Sequence, residues 1–285
     1  MLQFLLATAA LFNYISVPVA TMREEPKDSA EIASQAYYSE LVNVLEENSN
    51  WVKIETTVDH CQGWIKAGQL ASRATPFPSA STPQSQILKI NRCMAHLYNV
   101  QDTVYGPIST LPFDSILEAQ AADQDPKSRW IKVTTVDGQE GYIQRGDISS
   151  SHRLLKKDQL PLFSMQFLGL PYTWGGRSSF GYDCSGFVQM LYRQMGAFIP
   201  RDSKDQHKYD GFTEIAIEKL APGDLIFFGL DKDKIRHVGM YISDDRFVHA
   251  TVAENAPYVH ISRLSDAEWN GTGRFTYRAA RTLKQ

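Results

Sequence analysis

Residues 181–196 read GYDCSGFVQMLYRQMG, and this stretch decides how the C-terminal half of the chain is understood. From Ser185 onward the apolar residues Phe187, Val188, Leu191, Tyr192 and Met195 recur at helical spacing. Asp183 stands at the N-cap position of that helix and Gly196 at its stop. Cys184 therefore falls in the first helical turn, facing unpaired backbone N–H groups and the positive end of the helix dipole. Such placement predicts a thiol more acidic than the ordinary value of about 8.5. Gly186 is expected to keep the approach open to a substrate. Four fates are open to Cys184 on these residues alone: burial as a small hydrophobe, which is the commoner one, zinc ligation, a disulfide, or nucleophilic attack.

The sequence on either side supplies candidate partners. Residues 158–170, DQLPLFSMQFLGL, read as a helix stopped at Gly169 before Pro171. Beyond the cysteine helix, GDLIFFG, HVGMYIS, RFVHAT and YVHIS are strand-like runs separated by turns such as Pro222-Gly223-Asp224 and Ser243-Asp244-Asp245. A helix followed by an antiparallel meander is an α+β plan. His237 opens one of these strands and His249 closes the next. A connection with an odd number of residues sets both imidazoles on one sheet face, whereas a two-residue turn sets them on opposite faces. On a shared face, His237 can act as base to a thiol and His249 can orient it. Cys184, His237 and His249 also make the right number of ligands for a catalytic zinc, but no Cys-x-x-Cys or His-Glu-x-x-His pair accompanies them. No metal and no other cofactor is expected. His60, His96, His152, His207 and His260 read as core or surface residues.

At 285 residues the chain suits two or three domains. A net charge of −3 gives no general electrostatic reason to bind nucleic acid. The three cysteines, Cys61, Cys93 and Cys184, are too few and odd in number for a disulfide framework, so reduced thiols are expected. The N-terminus, MLQFLLATAALFNYISVPVATMREEP, is apolar and carries Ala-x-Ala spacing at Ala7 and Ala9, yet no Lys or Arg precedes its apolar run. The expectation is no cleaved signal in residues 1–12 and a cytoplasmic protein, with export to the periplasm or cell envelope as the alternative. No stretch is long and apolar enough to read as a membrane span.

An internal repeat organises the first half. Residues 44–65, VLEENSNWVKIETTVDHCQGWI, match residues 116–143, ILEAQAADQDPKSRWIKVTTVDGQEGYI, in a Leu-Glu opening, a Trp-x-Lys segment, Thr-Thr-Val-Asp and a Gly-aromatic-Ile strand. The loop before the tryptophan is longer and more polar in the second copy, the expected behaviour of one fold used twice. Each copy reads as a small β-barrel. The Pro-rich ASRATPFPSASTPQ, residues 71–84, reads as a linker.

The repeated pattern resembles the bacterial SH3-like domain, and YDCSGFV, HVGMYI and RFVHA, with LAPGDLIFF before the histidine strand, resemble the NlpC/P60 family of papain-like cysteine peptidases. The resemblance implies a multidomain fold: SH3-like barrels at residues 13–72 and 88–150, joined by a linker at 73–87, and an α+β peptidase domain at 153–285. It implies Cys184 as nucleophile, His237 as general base then acid, and His249 as the orienting residue. Tyr172, Asp183, Ser185, Arg201, Asp202 and Ser203 stand at positions that the resemblance assigns to substrate contacts. Members with this architecture are γ-D-glutamyl-L-diamino acid endopeptidases of peptidoglycan stem peptides, in which the first SH3-like domain recognises a free L-Ala amine. Glu24, Glu25, Glu31 and Glu40 are candidate carboxylates for that amine, while His60-Cys61-Gln62 replaces the usual aromatic before Gly63-Trp64. The expected partner is thus a peptidoglycan-derived peptide, bound by a monomer. The alternatives are a non-catalytic cell-wall-binding protein or an amidase or acyltransferase on the same fold.

Overall fold

Short β-branched and aromatic runs fold into strands throughout the first half of the chain, as seen in a computed structural model that describes residues 11–79, 85–120, 125–150, 153–271 and 275–284. Residues 1–10, with Ala7 and Ala9, lie outside the described residues, as does His152. The first barrel consists of β1 (Phe12–Ile15), β2 (Val19–Arg23), β3 (Ile32–Tyr37), β4 (Leu41–Asn48), β5 (Trp51–Thr56), β6 (Gln62–Lys66) and β7 (Leu70–Arg73). The second consists of β8 (Ser85–Ile90), β9 (Met94–Tyr98), β10 (Ser109–Pro112), β11 (Ile116–Gln120), β12 (Trp130–Thr134), β13 (Glu140–Gln144) and β14 (Ile148–Ser149).

The strand orders are β3-β2-β6-β5-β4-β1-β7 and β10-β9-β13-β12-β11-β8-β14, the same sequence displaced by seven strands. The repeated Gly-aromatic-Ile segment is β6 in one copy and β13 in the other. Its glycine has one job in both: a Cβ on Gly63 would meet Met22 Cβ at 2.8 Å, and one on Gly141 would meet Leu97 Cδ1 at 2.9 Å. Adjacent strands approach there too closely for a side chain.

The two barrels share a core. Tyr14, Tyr38 and Phe77 are buried with Leu88, Ile90, Leu97, Leu117, Ile131, Val136 and Ile143. The Val136 N–H donates to Tyr38 Oη at 2.8 Å, and the Phe77 N–H donates to Tyr14 Oη at 2.7 Å. The expected linker thus differs from a free tether. Phe77 anchors it in the core because an aromatic side chain gains more by burial than a Pro-rich segment loses by being held. The next strand begins at Ser85, inside the span expected to be linker.

Two segments within the expected first-barrel span, Ile32–Gln35 and Val58–Cys61, group with residues 151–285 rather than with the barrels. The first-barrel boundary expected from sequence, 13–72, is therefore interrupted twice. In this C-terminal unit, α1 (Leu160–Ser164) precedes a two-stranded ribbon of β15 (Arg177–Ser178) and β16 (Gly181–Tyr182). Then come α2 (Cys184–Arg193), α3 (Ser203–Lys208) and a six-stranded antiparallel sheet. Its strands are β17 (Phe212–Ile215), β18 (Leu225–Gly229), β19 (Ile235–Ser243), β20 (Arg246–Thr251), β21 (Tyr258–Arg263) and β22 (Thr276–Leu283), in the order β17-β22-β18-β19-β20-β21.

The helix α2 packs on β19 and β20, with every residue from Cys184 to Tyr192 buried. Tyr192 lies in the core and its hydroxyl donates to the Gly223 carbonyl at 2.7 Å. Gly196, at φ +79°, takes the left-handed conformation that ends the helical segment. No helix among the described residues is long and apolar enough to cross a membrane.

Candidate active site

The first turn of α2 is built around a carboxylate. Asp183 is extended, at φ −90° and ψ 178°, and its Oδ1 accepts the Gly186 N–H at 2.7 Å. Arg201 forks onto the same carboxylate, with Nη2 2.5 Å from Oδ2 and Nη1 3.1 Å from Oδ1. Its remaining donors reach Ser185 Oγ at 2.9 Å and Ser34 Oγ at 2.9 Å. Both charges are buried, and four hydrogen bonds hold the guanidinium, two to the carboxylate and two to serine hydroxyls, which offsets the cost of burying the pair. A second buried cluster lies alongside: Arg177 and Gln189 both approach Asp59 Oδ2, at 3.6 and 2.8 Å, and Arg177 donates to the Gln35 carbonyl at 2.8 Å. Ser34, Gln35 and Asp59 belong to the two segments that join this unit from the expected first-barrel span. Sequence reasoning missed Arg177 and Asp59, although an Asp in a repeated Thr-Thr-Val-Asp turn was visible.

Gly186 has a different role from the expected one. A Cβ there would land on the Gly176 carbonyl oxygen, so the glycine admits a backbone crossing rather than a substrate. Cys184 also departs from expectation. Burial pushes its thiol up to about 12, the Asp183 carboxylate adds to the rise, and the Val238 and Ser185 N–H groups and Arg201 oppose it without prevailing. Helix-start placement lowers a thiol only when the thiolate remains solvated, and this one is 8% exposed.

His237 and His249 come together. The turn between their strands is a two-residue one, Asp244-Asp245, with both residues at positive φ (49° and 69°). That turn alone would separate the imidazoles. The register, however, shifts between Tyr241 and Ser243: Tyr241 opposes Phe247 while Ser243 opposes Arg246, leaving Ile242 as an extra residue. Beyond this bulge Met240 opposes Val248, which restores the parity that puts His237 diagonally across from His249 on one face. His237 Nε2 lies 2.8 Å from His249 Nδ1, and His249 Nε2 lies 3.1 Å from Ser262 Oγ.

Aromatic rings enclose this chain of bonds. Trp269, fully buried, has its centroid 5.1 Å from that of His237 and 4.8 Å from that of His249. Burial, and next the nearby His260, depress His237 to about 3. His249 is held well below the ordinary histidine value by burial, then by His237 and His260. His260, which reads as unremarkable in sequence, pairs with His249 across β20 and β21, with ring centroids 4.7 Å apart. Of the other described histidines, His96 bonds Thr110 Oγ1, and His207 is buried against Phe227.

Cys184, His237, Tyr172, Asp183, Ser185, Arg201, Asp202 and Ser203 line one cavity of about 640 Å³, so the expected catalytic and peptide-contact residues other than His249 contribute to its wall. His249 lies behind His237, fully buried. Ile32, Ala33, Trp174, Leu230 and Val252 add apolar surface. The cavity lining does not include Glu24, Glu25, Glu31 or Glu40. Instead Glu40 is buried and its Oε2 accepts the Tyr37 N–H at 3.3 Å. A thiol, an imidazole with one nitrogen tied to a second imidazole, and a tyrosine hydroxyl in one cleft have the chemistry to serve as a nucleophile, a base with its orienter, and a hydrogen-bond donor.

Comparison with known proteins follows these divisions. Residues 169–273 match the NlpC/P60 family and residues 18–71 match the bacterial SH3 domain. The chain is 30% identical over 244 residues to a gamma-D-glutamyl-L-lysine dipeptidyl-peptidase of Bacillus cereus, covering 79% of this chain and 69% of that one. It is 27% identical over 263 residues to dipeptidyl-peptidase 6 of Lysinibacillus sphaericus, covering 87% and 90%. A solved NlpC/P60 family protein from Bacillus cereus ATCC 10987 superposes with a TM-score of 0.79 at 25% identity, over 95% of this chain and 99% of that one.

Proposed function

The chain belongs to the NlpC/P60 family, and on that premise we propose that it is a cysteine peptidase that hydrolyses the γ-D-glutamyl to L-diamino acid bond of peptidoglycan stem peptides. The proposed product is L-Ala-γ-D-Glu, released from substrates with a free N-terminal L-Ala, a reading supported by the dipeptidyl-peptidase names of its relatives. The observation that carries the site assignment is that Cys184 and His237 line one cavity while His237 is bonded to His249 behind it.

The order of events follows from the bonds. His237 spends Nε2 on His249, so Nδ1 is its free lone pair. For Nε2 to carry the hydrogen, His249 Nδ1 must accept and His249 Nε2–H must donate onward, and Ser262 Oγ is there to receive it. In the proposed mechanism the thiol proton passes to His237 Nδ1 as Sγ attacks the γ-carbonyl carbon. Tyr172, whose hydroxyl burial keeps protonated, donates to the oxyanion. The tetrahedral intermediate collapses by breaking the C–N bond, and His237 returns the proton to the departing amine. Water, deprotonated by His237, then cleaves the thioester and frees the thiol. Asp183 and Arg201 fix the wall beside Cys184, and Ser185, Asp202 and Ser203 offer polar contacts to the bound dipeptide.

A free L-Ala amine marks a fragment already detached from the glycan, so the proposed setting is recycling of small peptides by a cytoplasmic monomer. The test is incubation with L-Ala-γ-D-Glu-diaminopimelate and with the lysine tripeptide, followed by mass spectrometry. Appearance of L-Ala-γ-D-Glu with wild type and none with Cys184→Ala supports the reading; undiminished product from Cys184→Ala sinks it.

A further inference from the structure

Three cations line the cavity, and the structure neutralises two of them. Arg201 is buried on Asp183. Lys204 Nζ stands 3.5 Å from Asp202. Arg236 is exposed at the cavity wall, and among the described residues no hydrogen bond or ion pair engages it. With Asp183 and Asp202 the lining anions, the cavity is left with one uncompensated positive charge, and Arg236 carries it.

The position of Arg236 tells which part of a substrate it meets. It immediately precedes His237 on β19. The imidazole that returns a proton to the departing amine must face the leaving group. Arg236 is the extra residue of a bulge, since Phe228 opposes His237 while Gly229 opposes Ile235, so it escapes plain strand alternation and, about 3.8 Å along the chain from His237, lines the same cavity wall. Ile32, Ala33, Asp183 and Ser185 line the cavity from other elements. An exposed, unpaired guanidinium presents a planar fork of N–H donors suited to a carboxylate.

We propose that Arg236 recognises a carboxylate of the leaving diamino acid, which makes the substrate class peptides whose diamino residue keeps a free carboxylate. That carboxylate is either the α-carboxylate of a C-terminal residue or the side-chain carboxylate of diaminopimelate. The proposal rests on the function proposed above and adds the feature that selects the leaving group. One charge-assisted contact at a partly wet site gives discrimination of about tenfold.

The test uses the full-length chain and three tripeptides, L-Ala-γ-D-Glu joined to L-lysine, to L-lysine amide, or to diaminopimelate amidated at its α-carboxylate. Values of kcat/KM are measured for wild type, Arg236→Gln and Arg236→Lys. Wild type is expected to cleave at least one carboxylate-bearing peptide about tenfold faster than lysine amide. In Arg236→Gln that ratio falls to near one, and Arg236→Lys retains part of it. Fast cleavage of the free-lysine peptide identifies the α-carboxylate as the ligand, and fast cleavage of the diaminopimelate α-amide identifies the side-chain carboxylate. Equal wild-type rates on all three, or a ratio that survives in Arg236→Gln, overturns the proposal while leaving the peptidase reading intact. No cleavage of any of them overturns both.

Discussion

His237 and His249 sit diagonally across adjacent antiparallel strands with Nε2 and Nδ1 2.8 Å apart, and the single extra residue Ile242 is what sets them on one face. The geometry of the proposed catalytic pair therefore depends on a bulge as much as on the histidines. Behind them Ser262 receives the last bond of the series, so the tautomer of the proposed base is set three residues deep.

Breaking that series from its far end separates orientation from binding. Ser262→Ala removes the acceptor for His249 Nε2 and frees both imidazoles to exchange tautomers. The expected outcome is a fall in kcat of about tenfold with KM nearly unchanged, while His249→Ala loses about a hundredfold or more. Ser262→Thr, which keeps the hydroxyl, should recover most of the loss. Steady-state kinetics on the tripeptide read both parameters.

Two histidines held neutral by burial make stability depend on acid pH. The unfolded chain protonates its histidines near 6.5, whereas folded His237 resists until about 3 and folded His249 also lies well below 6.5. Between those values the unfolded state binds more protons, so stability is fully present above pH 6.5 and declines as the pH falls toward 3. Each histidine contributes up to about 1.4 kcal/mol per pH unit in that window. Urea unfolding at pH 7 and pH 5 measures the slope, and His237→Gln should shallow it by close to one proton.

The buried thiol makes its own statement about reactivity. With Cys184 pushed up to about 12, iodoacetamide should inactivate the resting protein slowly at pH 7 and progressively faster as the pH is raised through 8 to 10. A fast, flat rate between pH 5 and 7 instead means that the resting site is a thiolate–imidazolium pair.

Gly186 tests the packing beneath the proposed nucleophile. Gly186→Ala drives a methyl group into the Gly176 carbonyl and should cost about 1–3 kcal/mol together with most of the activity. Gly68→Ala, where nothing lies within 4 Å of the added Cβ, should leave the melting temperature and activity close to wild type. Thermal denaturation of the pair makes the comparison.

Much of this was legible in the chain because the signals are local. The helical spacing from Phe187 to Met195, the Asp183 cap and the doubled Trp-Lys and Gly-aromatic-Ile strands depend on neighbours a few residues apart. What escaped depends on partners far along the chain. Nothing near residue 242 announces a bulge, since the pairing of β19 with β20 places it. Ser34 and Asp59 read as barrel residues, and only folding brings them to Arg201 and Arg177. A helix-start cysteine predicts an acidic thiol in water, but the sequence does not reveal that the thiol is buried.

Attack by Cys184 on the γ-glutamyl carbonyl, with His237 as base, passes through a covalent thioester. The direct measurement is intact-protein mass spectrometry after rapid acid quench of the enzyme mixed with excess L-Ala-γ-D-Glu-diaminopimelate. The expected result is an adduct of one L-Ala-γ-D-Glu acyl group, mapped to the peptide bearing Cys184 and absent in Cys184→Ala. Dipeptide release at the wild-type rate by Cys184→Ala, with no adduct in either protein, contradicts it.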